Sequence, residues 1–175
     1  MADAINRADT KIYITDTGND PSTLSDSDIV TGSITEINTS GGEREQETIH
    51  TFGGDIVIEQ PRGEISLDME VTPSQEDEST FINYFYGEDS TNTGVYTSAT
   101  DPTDKAVYIE ADDGTNVTTH AFNQLQATSF DVDQGADGER TISLTFNTSP
   151  ETQDGSPNYV WTNDSASNLP TWDSY

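Results

Sequence analysis

The stretch GEISLDMEV, residues 63–71, alternates without a break: Ile65, Leu67, Met69 and Val71 fall on one side, and Glu64, Ser66, Asp68 and Glu70 on the other. A period of two marks a strand with one buried and one wet face, and a helix cannot use it. TISLTFN repeats the arrangement, with Ile142, Leu144 and Phe146 inward against Thr141, Ser143 and Thr145. Both runs follow a glycine-containing turn, PRG in one case and GADGE in the other, so the chain reads as hairpin-rich and antiparallel. Further strands are predicted at KIYIT, at DIVTGSITEIN, at DIVIE ahead of Pro61, at AVYIE and NVTTHAF on either side of ADDG, and at LQATSFDVD. Asp113-Gly114 is the strongest hairpin signal in the chain.

One segment breaks the pattern. In VTPSQEDESTFINYFYG, Thr72 precedes Pro73 and Gln75 follows three residues on, a capping-box start with proline at the first helical position. Glu76, Asp77 and Glu78 then sit where the helix dipole favours acids. Phe81, Ile82, Tyr84, Phe85 and Tyr86 load the far end, and Gly87 is placed to terminate it. This predicts a helix over 73–86, anchored on the core by Phe81, Tyr84 and Phe85. Residues 88–103 read as a polar surface loop. From Ser149 onward there are three prolines and both tryptophans but no sustained period, which predicts a C-terminal arm, 149–175, whose Trp161 and Trp172 pack on the chain's own domain or on a neighbour. A chain of 175 residues supports one domain, 1–148, with an N-terminal arm over about 1–10.

Composition then limits function. The chain carries 33 acidic residues against 6 basic ones, a net charge of -27 and a pI near 4.1, spread along its length and not gathered in a tail. Such a surface repels itself at low salt and is relieved as the Debye length shrinks to about 3 Å at 1 M, so the chain reads as one that works in concentrated salt. A basic groove for nucleic acid is excluded. The absence of cysteine removes disulfides, thiolate nucleophiles and cysteine metal sites. MADAINRADTK has no apolar h-region and nowhere do 18 apolar residues run together, which predicts neither a secretory signal nor a membrane span, and a product made soluble in the cytoplasm.

Catalytic motifs are missing too. The chain has only two histidines, His50 and His120, in different predicted strands, so a three-histidine zinc site is impossible, and HExxH, GxSxG and GxxxxGK[ST] do not occur. DVDQGADGER opens like a calcium loop with Asp131, Asp133 and Asp137. It then sets Gly135, Ala136 and Ile142 where a ligand, the turn glycine and the bidentate glutamate belong, so it reads as a plain turn open to adventitious cations in high salt. No glycosidase acid pair can be nominated among so many carboxylates. The sequons at Asn38, Asn116, Asn147 and Asn163 are of a kind that chance supplies in an Asn- and Thr-rich chain. The expectation is no enzyme, no metal site and no cofactor.

NTSGGEREQETIHTFGG, residues 38–54, sets two glycine pairs around a polar run. No helical pattern follows Gly41-Gly42, so it is not an anion cradle. The pair instead predicts a tight turn, with Glu43 to Thr48 starting a returning strand that is polar on both faces.

The order of features is an early hairpin interrupted by SGGERE, then TFGGDIVIEQPRGEISLDMEVTP, a short helix ending in aromatics, and later strands closing with ISLTFN. Over about residues 29–148 this resembles the major tail (tail tube) protein of siphovirus-type tailed viruses, the Caudoviricetes, and the acidity points to one infecting a haloarchaeon. The resemblance implies an antiparallel β-sandwich with one flanking α-helix. Long hairpins, about 29–38 with 43–51 and about 124–134 with 139–148, would join in a hexameric ring to form a tube-like β-barrel. Stacked rings would make the virion tail, synthesised in the host cytoplasm, with an acidic lumen through which viral DNA slides without specific binding during ejection. Tape-measure, tail terminator and distal tail proteins are the other implied partners, with no membrane. Ring and lumen contacts are expected at Gly41, Gly42, Glu43, Arg44, Glu45, Gln46, Glu47, Asp131, Asp133, Glu139 and Arg140. The scarce cations Arg44, Arg62 and Arg140 are expected to matter more to assembly than any surface Asp. A halophilic capsid-decorating or surface β-sandwich and a salt-adapted hydrolase are the alternatives.

Overall fold

A computed structural model of the chain describes residues 10–17, 24, 34–52, 54–73, 78–112, 115–136, 138, 140–152 and 155–164. In chain order these form β1 (Thr10–Asp16), β2 (Ile34–Gly41), β3 (Arg44–Thr51), β4 (Gly54–Arg62), β5 (Ile65–Val71), α1 (Glu78–Ile82), β6 (Gly87–Glu88), β7 (Tyr96–Thr97), β8 (Lys105–Asp112), β9 (Val117–Gln134), β10 (Arg140–Thr148) and β11 (Tyr159–Asp164). The main sheet is antiparallel, in the order β1-β8-β9-β10-β5-β2, with β11 also on β9. β3 with β4, and β6 with β7, form separate two-stranded ribbons.

The two alternating runs become neighbours. β10 and β5 pair so that Ile142 faces Val71, Leu144 faces Met69 and Phe146 faces Leu67, and all six side chains are buried. NVTTHAF and LQATSFDVD, predicted as two strands, are one strand of 18 residues. The first part of β9 pairs with β8 and β11, and the second with β10. The register of β9 slips against both β8 and β10, and such bulges bend and twist a strand. The sheet curls into a half-barrel, and the two layers expected of a sandwich are the halves of this one sheet, joined through β9. Ile12, Ile14, Val107 and Phe122 of one half meet Leu67, Met69, Leu144 and Phe146 of the other in a single core. β8 does not alternate because both of its faces are covered: Ala106 and Tyr108 pack with Tyr13, Ala121 and Leu24 on the side away from that core.

The helix is shorter than the predicted 73–86. Thr72 and Pro73 lie outside it, and Gln75, Glu76 and Asp77 fall outside the described residues. Past Ile82 the chain tightens through bonds from the Tyr84 amide to the Phe81 carbonyl, 3.2 Å, and from the Phe85 amide to the Ile82 carbonyl, 3.1 Å. That tightening turns the anchors onto the sheet. Phe81 meets Tyr84 edge-on at 5.7 Å, Tyr84 reaches Phe146 at 6.3 Å, and Phe85 stacks on Phe130 at 5.7 Å. A helix of 5 residues has no stability of its own, so these aromatics hold it in place. Gly87 does not cap the helix. It opens β6, where an added Cβ would lie 2.6 Å from the Thr100 side chain and 2.8 Å from the Thr100 and Asp101 carbonyls. The loop that follows is ordered by Asp89, whose carboxylate accepts from the amides of Thr91 at 3.0 Å and Asn92 at 2.9 Å.

Candidate functional site

The early hairpin is not where the sequence suggests. β2 does not turn back onto β3: it pairs with β5, and β3 pairs with β4. Gly41 and Gly42, at φ +91° and +74°, form a hinge and not a hairpin turn. There the Gly42 amide donates to the Glu64 carbonyl and the Gly63 amide to the Glu43 carbonyl, both at 2.9 Å, so the departing and returning chains stay side by side. An added Cβ at Gly41 would lie 2.2 Å from the Glu64 carbonyl oxygen, which is why glycine stands there. One long ribbon results, folded at the hinge, with Thr51 and Gly54 the last partners of β3 and β4. Pro61, which donates nothing to a ladder, sits where the register of β3 and β4 slips. Phe52 and Val57 on this ribbon are exposed.

The opposite side of the β2-β5-β10-β9 section from the core is polar throughout. Asp131 stands opposite Ser143, Ser143 opposite Glu70, and Glu70 opposite Glu36. In the adjoining row Ser129, Thr145, Asp68 and Asn38 face one another in turn. Asp133 lies beside Thr141 at the end. Hydroxyls hold two of the acids in place: Thr145 donates to Asp68 at 2.8 Å and Thr35 to Glu70 at 3.2 Å. Glu36 and Glu70 are like charges directly across a strand pair, an arrangement that costs roughly 0.2–1 kcal/mol. Glu70→Gln is therefore expected to stabilise the chain by up to about 1 kcal/mol at low salt and to reduce the gain from added salt. Urea midpoints at low and high NaCl check this, and an unchanged salt slope would refute it.

Of the expected contacts, Asp131 and Asp133 lie on this polar face, and Gly41 and Gly42 are the hinge at the foot of the ribbon. Glu43 is exposed at the hinge, and Glu45, Gln46 and Glu47 belong to β3. Arg44 stands across from Arg62 in register, and Arg62 donates to the Gly42 carbonyl at 3.3 Å. Arg140 has a partner within the chain, Glu78 at the start of α1, at 2.7 Å. This pair links α1 to β10. Glu139, Trp172 and the Asp113-Gly114 turn lie outside the described residues. Trp161 is on β11, which docks on its own sheet, yet its ring is exposed and it is Tyr159 that packs on the core. Between β9 and β10, where the sequence reads as a plain turn, the Gly138 amide donates to the Gly135 carbonyl at 3.0 Å.

The sequence reading missed Lys105. It is buried at the start of β8, with its ammonium 2.6 Å from Asp16 and 5.6 Å from the Tyr84 ring centre. Burial, and then Asp16, push the Tyr84 phenol well above its usual range. The available signal was a lone lysine heading an apolar run in a chain almost devoid of lysine. Deleting its charge leaves Asp16 without a partner on an already acidic surface.

His120 presents Nδ1 to the Tyr159 hydroxyl at 2.7 Å, and burial lowers its pKa below 6.5. The unfolded chain therefore takes up the proton first as pH falls, and stability declines below about pH 6.5 until the folded pKa is passed. His120→Gln is expected to flatten that decline, read as the denaturation midpoint between pH 7 and 5. A decline as steep as the parent's would assign the effect to other groups.

No protein-family model and no curated protein sequence matches the chain. Solved structures do. The sheath/tube terminator of an extracellular contractile injection system (PVC), in its extended state, superposes with a TM-score of 0.53 at 10% identity, over 91% of this chain and 97% of that one. The tube-terminating cap of the anti-feeding prophage gives 0.49 at 14% identity, over 95% and 94%. A chain from the tail of an empty gene transfer agent particle, reconstructed with C6 symmetry, gives 0.47 at 14% identity, over 91% and 99%. The first of these is a likeness of fold across nearly the whole of both chains.

Proposed function

We propose that this chain is a structural tail protein, whose copies join side by side into rings that stack as a tube with the carboxylate rows lining its lumen. The observation that carries this reading is the row Asp131, Ser143, Glu70 and Glu36, three carboxylates and a hydroxyl set across a sheet face on which, among the described residues, no Lys or Arg stands in register with them. In a domain standing alone the Glu36–Glu70 pair costs stability. A channel wall for DNA gains from it, since phosphates repelled on every side slide and do not stick. The fold it shares with a sheath/tube terminator agrees with a place in a tubular assembly.

In this reading β1 and β2, at the two ends of the sheet order, meet neighbouring copies in the ring, which removes the open ladders an isolated sheet presents. The β3–β4 ribbon, with Arg44, Glu45, Gln46 and Glu47 near its foot, reaches an adjacent copy. Rings of six, a siphovirus-type tail, a haloarchaeal host and partners of the tape-measure, terminator and distal-tail kinds complete the proposal. So do the division into a tube domain, 1–148, and an arm, 149–175. The site of action is the virion tail and the site of synthesis the host cytoplasm.

A second reading follows one of the matched structures, a sheath/tube terminator: the chain ends a tube and does not repeat along it. Negative-stain imaging of the purified chain in concentrated salt separates the two. Long tubes with a regular axial repeat and an open centre support the tube, and discrete rings support the terminator. A monodisperse monomer under all salt conditions would sink both.

A further inference from the structure

At the two ends of the sheet order stand β1 and β2, and they are held by opposite means. β1 sets Ile12 and Ile14 into one core and Tyr13 into the other, and its last residue, Asp16, takes the ammonium of the buried Lys105 at 2.6 Å. β2 buries one residue of eight, Ile34, with Ile37 partly covered against the core. Its ladder on β5 slips in register between Ile34 and Glu36, close to that single anchor. In the slip the Thr35 hydroxyl donates to the Glu70 carbonyl at 2.9 Å. Directly after it Glu36 faces Glu70, carboxylate against carboxylate, and no residue of β5 in register with β2 is basic.

The charge behind Glu70 continues inward. Asp68 is its neighbour on the same face of β5, and Asp131 lies two strands further, across Ser143. In about 0.01 M salt the Debye length is about 30 Å, so all of these acids press on Glu36, whereas at about 1 M it is about 3 Å and they no longer do. The direct pair alone shifts the opening of β2 by up to about fivefold, and the others add to it. β1 has the reverse electrostatics: its pair with Lys105 attracts, and it is partly buried, so salt alters it little.

We propose that β2 is a latch worked by salt: concentrated salt lets it lie on β5, and dilution lifts it off while the rest of the sheet keeps its order. Lifting bares the outer ladder of β5 from Ile65 to Val71 and frees one of the two strands on which the β3–β4 ribbon stands. The device belongs to the single chain and holds whether or not copies form a tube.

Backbone amide exchange of the monomer at about 0.01 M and about 1 M NaCl tests it. Dilution is expected to speed exchange in β2 at least about fivefold, and in β1 by less than about twofold. Salt acting through stronger apolar burial would show first in β1, which buries more, so that order overturns the latch. Glu36→Gln, at an exposed position, is expected to remove most of the salt response of β2. Asp131→Asn, the same loss of charge three strands away, is expected to leave most of it. Equal responses of β1 and β2, or equal flattening by the two variants, would assign the effect to the net charge of the whole chain and overturn the latch. So would exchange in β2 that does not change with salt.

Discussion

Phe146→Ala is expected to remove about 3–5 kcal/mol of stability, a large share of the roughly 5–15 kcal/mol that holds an ordinary domain together. Phe146 is fully buried at the centre of β10, opposite Leu67 on β5 and Ala127 on β9, and against Tyr84 from the helix turn. Truncation opens a cavity at the point where three strands and the helix anchors meet. Tyr84 can move into it only by giving up its edge-on contact with Phe81. Chemical denaturation in concentrated salt should show a lower midpoint with an unchanged slope. Val57→Ala on the exposed ribbon serves as the control and should stay within about 0.5 kcal/mol of the parent. A loss below 1 kcal/mol at Phe146 would mean that the core is organised around other residues.

Phe52→Asp should have the opposite profile: a monomer as stable as the parent, and an assembly that fails. Phe52 is fully exposed beside the turn of the β3–β4 ribbon, more so than any other large apolar side chain among the described residues. If the ribbon docks on an adjacent copy, burying that ring is worth roughly 1.5–3 kcal/mol, which is about ten- to a hundredfold in each contact constant. Aspartate forfeits this and adds an unpaired charge to the contact. Because every copy in a stacked array makes the same contact, tube yield should fall much further than a single constant suggests. Sedimentation of polymer from monomer in concentrated salt measures it. Normal tubes from Phe52→Asp would remove the ribbon from the assembly contacts.

Most of the sheet was legible because its information is local. Ile65 to Val71 and Ile142 to Phe146 carry their faces in a period of two, and the aromatic spacing of Phe81, Tyr84 and Phe85 announced a covering element. What escaped was pairing at a distance. SGGERE has the composition of a hairpin turn, and nothing within ten residues of it reveals that β2 prefers β5 and that the glycines bend a ribbon. That preference comes from the inward residues Ile34 and Ile37 meeting Val71 and Met69, a match visible only once the strands are placed. The helix was overextended because capping signals at Thr72 and Pro73 describe how a helix would begin, whereas the sheet beneath decides how much of it fits. The acidic rows were half visible. Asp131 and Asp133 were singled out for their spacing, and Asp68 and Glu70 were assigned a wet face, but only the register of β10 against both β9 and β5 makes one surface of them. The burial of Asn158 had no sequence signal, since asparagine there resembles any loop residue.

The partnership of β5 with β10 sets a timetable during synthesis. Val71 must wait for Ile142, its register partner, which leaves the ribosome 71 residues later. At roughly 5–20 residues per second this is an interval of several seconds in which Ile65, Leu67, Met69 and Val71 stand uncovered on a strand ready to pair with any other. Neighbouring nascent chains on one message would present the same strand at the same moment. The carboxylates of Glu64, Asp68 and Glu70 on its other face keep such strands apart in that window. The acidity that suits a finished surface thus also guards an unfinished one.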